Sequence, residues 1–215
     1  MFVRDRMSSP AVTIGVNTAF PDALSLMREH RFRRLPVVNN RGKLVGIVSE
    51  RDLLHAAPSA ATSLSIWEMQ YMLAKLHVKD IMTEDVITTS PDTPVEDAAQ
   101  LMVVHRIGGL PVLSGRGEVV GIITETDIFR TFVEMFAGGR AGVRLALSVP
   151  EQKGVLLELC DAIYDLGGSI VSIGSFDGRQ ADERGLVVKV QDVEGGQLVS
   201  TLDALGEQLL DARDV

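Results

Sequence analysis

The sequence predicts an α+β chain made of a β-α-β-β-α unit written twice, the two copies forming a pseudo-twofold pair, followed by a C-terminal ferredoxin-like βαββαβ segment. Three observations predict it. Residues 3–56 align with residues 78–131 without a gap, at a constant offset of 75 (Gly46 against Gly121). Within each copy the apolar periodicity switches between helical and alternating in the same order. Beyond "AGGRAG" (Ala137 to Gly142) the pattern changes to strand, helix, strand, strand, helix, strand. The organisation that follows is repeat one at 1–57, a helical connector at 58–77, repeat two at 78–136, a Gly-rich hinge at 137–142 and a third domain at 143–215.

The self-match is carried by "VRDRM" against "VKDIM", "HRFRRLPVV" against "HRIGGLPVL", and "RGKLVGIVSERDLL" against "RGEVVGIITETDIF". Each copy opens on a short apolar strand, Ala11 to Ile14 in the first and Val86 to Thr88 in the second. A helix follows, with Ala23, Leu26 and Met27 at helical spacing, repeated as Ala98, Leu101 and Met102. Thr93 is expected to cap the second of these helices, with Pro94 at the first helical position and Glu96 completing a capping box. The strands "LPVV" and "LPVL" come next. Turns at "NNRG" and "GRG" then lead into "KLVGIV" and "EVVGII". The heptads "GIVSERD" and "GIITETD" stand where the last strand meets the last helix. In the connector, Leu64, Trp67, Tyr71 and the Leu73–Leu76 turn fall largely on one helical face, which predicts an amphipathic helix packed on the repeats.

In the last domain "VRLALSV" alternates as a strand. "VLLELCDAIYDLGG" reads as a helix closed by Gly167 and Gly168, with Cys160 facing inward beside Leu156, Leu159 and Ile163. "SIVSIGSF" and "GLVVKV" are strands around the polar turn "DGRQADER". "GGQLVSTLDALGE" is a helix, and "LLDARDV" a final strand.

Composition narrows the function. The formal net charge is -8 and no dense Lys/Arg run occurs, which disfavours nucleic-acid and anionic-membrane partners. With one cysteine, Cys160, an internal disulfide and a thiolate metal site are both excluded. The first residues lack a signal-peptide core, and no apolar stretch approaches membrane-spanning length. The expected location is cytoplasmic. No nucleophile elbow, Walker loop, Rossmann glycine run or zinc-protease motif occurs, so no enzyme is expected. His30 and His105 recur at helix ends without a carboxylate at ligand spacing; they read as C-terminal helix residues or phosphate neighbours, and no metal site is expected.

The heptads support two readings. Ser49-x-x-Asp52 and Thr124-x-x-Asp127 both fit a capping box, hydroxyl first and acid three residues on. The same geometry places backbone N–H groups, a hydroxyl and a carboxylate on one small surface, where phosphate and a ribose diol find partners. A helix start of this kind looks the same with or without a ribose on it.

Both copies in full, with "IMT-x-DVIT" (Ile81 to Thr88), "HR-x-x-x-LPVV" and "G-I-x-S/T-x-x-D", resemble a tandem CBS-domain pair, the Bateman module. The resemblance implies an adenine nucleotide or other adenosyl ligand in a cleft between the copies. AMP, ADP, ATP, adenosylmethionine and a dinucleotide all fit that class, and no cofactor is required. Carried over by position, one site takes Ile122, Thr124 and Asp127, faced by Ala11, Val12, Phe32, Arg33 and Arg34. The pseudo-equivalent site takes Ile47, Ser49 and Asp52, faced by Val86, Ile87, Ile107, Gly108 and Gly109. Arg33 and Arg34 of the first copy stand where the second has Gly108 and Gly109. Arginine grips phosphate in a fork, so the Asp127 site is expected to be the better phosphate binder. The Asp52 site is then empty or takes an uncharged adenosyl group.

With "SVPEQKGVLLEL" at its first turn, the last domain resembles an ACT domain. That implies dimerisation and an amino-acid site near Gly154, although Lys153 stands where that family carries proline. The whole arrangement resembles the AcuB-type (acetoin utilisation) CBS proteins. The function expected is a non-catalytic homodimeric sensor acting on a partner protein not identified by the sequence. The alternative is a structural adaptor with vestigial nucleotide sites.

Overall fold

The computed structural model of the protein describes residues 1–57, 65–178, 180, 182–204 and 208–215. By its contacts the chain divides into two compact units, Met1–Ile128 and Phe129–Val215.

In the first unit, repeat one runs β1 (Ile14–Gly15), α1 (Phe20–His30), β2 (Arg34–Val38), β3 (Leu44–Ser49) and α2 (Glu50–Ala56). The connector supplies α3 (Ile66–Lys75), and repeat two runs α4 (Val95–His105), β4 (Gly109–Leu113), β5 (Val119–Thr124) and α5 (Glu125–Met135). β2 lies between β1, which it meets in parallel, and β3, with which it forms an antiparallel hairpin. β4 and β5 repeat that hairpin in the same register: Arg34 pairs with Ser49 as Gly109 pairs with Thr124. The turns are as the sequence predicts. Gly42 (φ 72°) and Gly117 (φ 71°) take left-handed conformations that glycine adopts without a Cβ penalty. Ala23 and Met27, and Ala98 and Met102, are buried at corresponding places in the two copies.

The two copies are tied by an exchange of their leading segments. Residues 3–8 of the first copy bond to the second, and residues 78–83 of the second bond to the first. Val3 N donates to Thr93 O and Val78 N to Thr18 O, both at 2.9 Å. Ser8 and Ile122 pair through both backbone groups, as do Thr83 and Ile47. Val3 is therefore buried in the second copy's core, with Ala98, Leu110 and Ile123. Val78 is buried in the first copy's core, with Leu35, Val37 and Leu53. The glycines of the heptads make this contact. A Cβ on Gly46 would lie 2.5 Å from Met82 Sδ, and one on Gly121 equally 2.5 Å from Met7 Sδ.

Several expectations need correction. The strand expected at Ala11–Ile14 is confined to β1, and at Val86–Thr88 the described backbone holds only a bridge one residue later, Thr89 with Val112. Val86 and Ile87 instead line a cavity. Thr93 does not cap α4. Its Oγ1 sits 3.0 Å from Ser90 Oγ, and Pro94 is the N-cap without a side-chain bond. In α3, Leu73 packs on the first copy's core with Leu76 just beyond the helix, but Trp67 is 81% and Tyr71 63% exposed, so the aromatic face points to solvent. Leu64 lies outside the described residues.

The second unit carries β6 (Val143–Pro150), α6 (Val155–Asp165), β7 (Ser169–Asp177), β8 (Glu183–Gln191), α7 (Gly195–Ala204) and β9 (Gln208–Asp214), with sheet order β7-β8-β6-β9. All pairings are antiparallel. Strand order and connectivity are those of the split βαβ plan. Alternation along β6 buries Val143, Leu145, Leu147 and Val149 under Leu159 and Ile163 of α6 and Leu198 and Leu202 of α7. Leu156, expected inside, is 49% exposed, and Cys160 is half-buried.

The Gly-rich segment 137–142 is bonded to this second unit. The Lys189 ammonium, buried in the sheet, donates to Ala137 O (3.0 Å) and Arg140 O (2.8 Å). Gly142 and Val215 exchange backbone bonds, both 3.0 Å. The boundary between units accordingly falls at Ile128/Phe129, within α5, and not at the glycines.

Candidate functional site

Each heptad folds as the end of a hairpin strand and the first turn of a helix. Ser49 is the N-cap of α2: its Oγ accepts from Asp52 N at 3.2 Å, while Asp52 Oδ2 accepts from Ser49 N (2.8 Å) and Ser49 Oγ (2.7 Å). Asp127 Oδ2 accepts from Thr124 N (2.9 Å) and Thr124 Oγ1 (2.7 Å) in the same way. The full capping box is thus formed at Ser49, and at Thr124 the carboxylate half of it is in place. Their surroundings differ. Asp127 is buried, at 8% exposure, whereas Asp52 is half-buried on the wall of a cavity.

That cavity measures about 450 Å³ and is walled by both copies. The first copy contributes Ile47, Ser49 and Asp52; the second contributes Val86, Ile87, Ile107, Gly108 and Gly109. All eight residues assigned from sequence to the Asp52 site are therefore brought together. Ile47, Val86, Ile87 and Ile107 offer apolar surface for a flat base. Asp52 Oδ1 takes no proton from the described residues, while Oδ2 is held by the cap. A carboxylate fixed by one oxygen and open at the other suits a ribose diol, since charge-assisted bonds are the stronger kind.

The structure also brings Arg33 and Arg34 to this cavity, where the sequence assigns them to the Asp127 side. The reason is steric. Gly108 and Gly109 have no side chains, and the Arg34 guanidinium lies where either Cβ would be. A guanidinium three methylenes from its backbone crosses between the copies, a reach that positional correspondence does not convey. Arg33 extends further, its Nη2 donating to Thr126 Oγ1 at 3.1 Å beside Asp127. Arg51 and Arg106 complete the basic lining, with Glu50 and Asp85 as opposing acids. Neither of these two arginines stood out in the sequence. Arg106 holds the left-handed C-cap of α4 (φ 54°) as Arg31 does that of α1 (φ 56°), and their repetition in "HR" was the signal that could have singled it out.

Burial depresses the Arg34 guanidinium below its ordinary value; Glu125 opposes the shift and Arg33 adds to it. α2 has seven residues, too short for its dipole to matter much, so anion affinity here rests on the arginines.

Of the residues assigned to the Asp127 side, Val12 and Phe32 pack against the first copy's core. Phe32 stacks on His30 with ring centroids 5.2 Å apart. Ala11 is half-buried, and Ile122 is engaged by Ser8. His30 and His105 lie in the last turns of α1 and α4. Among the described residues no group of three His, Cys, Asp or Glu side chains could hold a metal ion, and no helix is long and apolar enough to cross a membrane.

In the second unit, Gly154 (φ 100°) is the N-cap of α6. A separate cavity of about 330 Å³ opens beside it, lined by Gln152, Lys153, Leu156 and Ser175 and by the paired Glu151 and Arg184.

Two copies of one unit, each closing the other's core and together walling a ligand-sized cleft, define a paired-repeat binding module. The family model for the CBS domain matches residues 3–59 and 78–134, more than half the chain, and the chain belongs to the CBS-domain family as a tandem pair. Solved structures agree. The CBS domain pair of protein MJ0100, in complex with 5'-methylthioadenosine and S-adenosyl-L-methionine, is 33% identical, with a TM-score of 0.52 over 61% of this chain and 95% of that one. CBSX2 of Arabidopsis thaliana in complex with AMP is 31% identical, with a TM-score of 0.50 over 61% and 96%. A Vibrio cholerae protein assigned to acetoin utilization (AcuB) is 31% identical, with a TM-score of 0.52 over 62% and 90%.

Proposed function

We propose that the protein is a non-catalytic sensor that binds an adenosyl ligand in the cavity at Asp52. The single observation that carries this reading is the cavity itself: an open carboxylate oxygen, an apolar wall and four arginines converge from both copies. The base lies against Ile47, Val86, Ile87 and Ile107, and the ribose diol donates to Asp52. Support comes from the solved relatives, whose CBS pairs hold 5'-methylthioadenosine, S-adenosyl-L-methionine or AMP. The Asp127 side is a second, weaker position in this proposal, reached by Arg33 but with its carboxylate buried.

Occupancy is relayed by α5, which begins beside the repeats at Glu125 and carries the chain into the second unit. That unit, with its split βαβ order and glycine-capped first turn, is proposed to be ACT-like and to supply the homodimer contact. Signalling of this kind requires a ligand that prefers one of two arrangements.

Calorimetric titration of AMP, ADP, ATP, S-adenosyl-L-methionine and NADH into the full chain tests it. A dissociation constant near the micromolar range, about −8 kcal/mol, is expected for at least one. No binding by any of them leaves the adaptor reading, in which both heptads are capping boxes and nothing more.

A further inference from the structure

The second unit buries a lysine. Leu186, Val188 and Val190 of β8 face the helices, so Lys189 lies on the opposite face of the sheet, at 6% exposure. A charged side chain is seldom buried unless its charge is met. Here it is met by main-chain carbonyls just past α5, Ala137 O and Arg140 O, near the negative end of the helix dipole. α5 closes in a Schellman motif, Gly138 N donating to Val133 O (2.7 Å) and Ala137 N to Glu134 O (3.0 Å). The left-handed position of that motif is taken by Ala137 (φ 49°) and not by a glycine, a strained conformation that persists where the surroundings enforce it. The segment is fastened elsewhere too. The Phe136 ring fills the place a Gly174 Cβ would take on β7, and Gln191 Nε2 of β8 donates to Ala141 O at 2.6 Å. Opposite Lys189 on β7 stands Ser172, 7% exposed, its hydroxyl bonded to nothing among the described residues. A buried orphan hydroxyl calls for an explanation. This one is the cross-strand neighbour of an ammonium that uses two of its three hydrogens.

We propose that Lys189 is a two-position latch on the end of α5: closed, it grips Ala137 O and Arg140 O; open, it turns to Ser172 Oγ and frees segment 137–142. Neither position strands the ammonium inside the sheet. The closed latch makes two bonds to carbonyls but keeps Ala137 strained and the Ser172 hydroxyl unbonded. The open latch gives up those bonds, relieves the strain and satisfies the hydroxyl. Such offsetting terms leave two arrangements close enough in free energy for a ligand to shift their balance. The regulatory step alone rests on the adenosyl-sensor reading. α5 starts at Glu125, directly after the second heptad, so a ligand that steadies the repeats steadies the helix and favours the closed latch. Lys189 is a positioning residue and touches no ligand.

Hydrogen exchange of the Ala137, Gly138, Arg140 and Gly142 amides in the full chain, all bonded in the closed latch, reads this balance. Lys189→Met is expected to speed their exchange about tenfold to a hundredfold, the range of one charge-assisted bond. Ser172→Ala removes the acceptor of the open position and is expected to slow exchange about two- to tenfold, the scale of a neutral hydrogen bond. In the Lys189→Met background Ser172→Ala should change nothing, a dependence that loss of packing alone does not produce. Ser172→Ala that speeds exchange, or that acts equally in both backgrounds, overturns the latch; the first of these is read without Lys189→Met, should that variant fail to fold. Saturating AMP should slow the same amides in the wild type and lose that effect in Lys189→Met. AMP that binds by calorimetry yet leaves these amides unchanged overturns the regulatory step and spares the adenosyl reading. Failure of AMP and the other adenosyl compounds to bind the wild type overturns that reading, and the two variants still judge the latch.

Discussion

At the scale of single residues, the two heptads hold the same internal geometry, and only their environment distinguishes a helix cap from a ligand contact. Ser49 and Asp52 were legible in the sequence because a capping box has a fixed spacing. The place of Arg34 on the cavity wall was not, because it follows from two missing side chains about 75 residues away. α3 supplies an internal control. Ser65 and Glu68 form the same box, with Ser65 N to Glu68 Oε2 at 2.8 Å, on an exposed surface. Ser49→Ala and Ser65→Ala should each cost about 1 kcal/mol in denaturant unfolding, but only Ser49→Ala should also weaken AMP binding. Equal loss of AMP affinity in both would mean that the heptad acts through stability alone. Glu68 adds a pH signature. Its bonds from Ser65 hold its carboxyl below the ordinary glutamate value, so the cap's contribution is complete above that value and is lost as pH falls through the lowered one. Trp67, the sole tryptophan, immediately precedes it. Its emission should change with a midpoint below the usual glutamate range, and Glu68→Gln should abolish the change.

At the scale of elements, helices and hairpins were legible from periodicity, and the short first strands were not. Two-residue β1, and the bridge that replaces its counterpart in repeat two, are set by a parallel pairing that no local pattern encodes. The aromatic face of α3 misled for a related reason: spacing shows which residues share a face, not whether that face is covered. The glycines of "VGI" are explained at this scale. Gly46 and Gly121 admit the methionines of the exchanged leading segments, Met82 and Met7. Gly46→Ala and Gly121→Ala should each destabilise the first unit by about 1–3 kcal/mol through overpacking, read from denaturant midpoints. Wild-type stability in both would show that the leading segments are not held at those strands.

At the scale of the whole molecule, the repeat was visible as a duplication, but the exchange of leading segments was not, because it is a pairing between copies that sequence self-comparison cannot distinguish from two independent folds. Composition gave no sign of the Lys189 bonds that fasten the Gly-rich segment to the second unit. The two units have separate buried clusters, Leu35 belonging to one and Leu159 to another. Leu35→Ala and Leu159→Ala should each cost about 2–5 kcal/mol and move different parts of the calorimetric unfolding profile. Saturating AMP should raise the part that Leu35→Ala lowers.

Titration of AMP into Asp52→Ala and Asp127→Ala decides which heptad holds the ligand. Asp52→Ala is expected to abolish binding, while Asp127→Ala retains most of it. Loss of binding in Asp127→Ala with Asp52→Ala unaffected would contradict it and return the ligand to the other heptad.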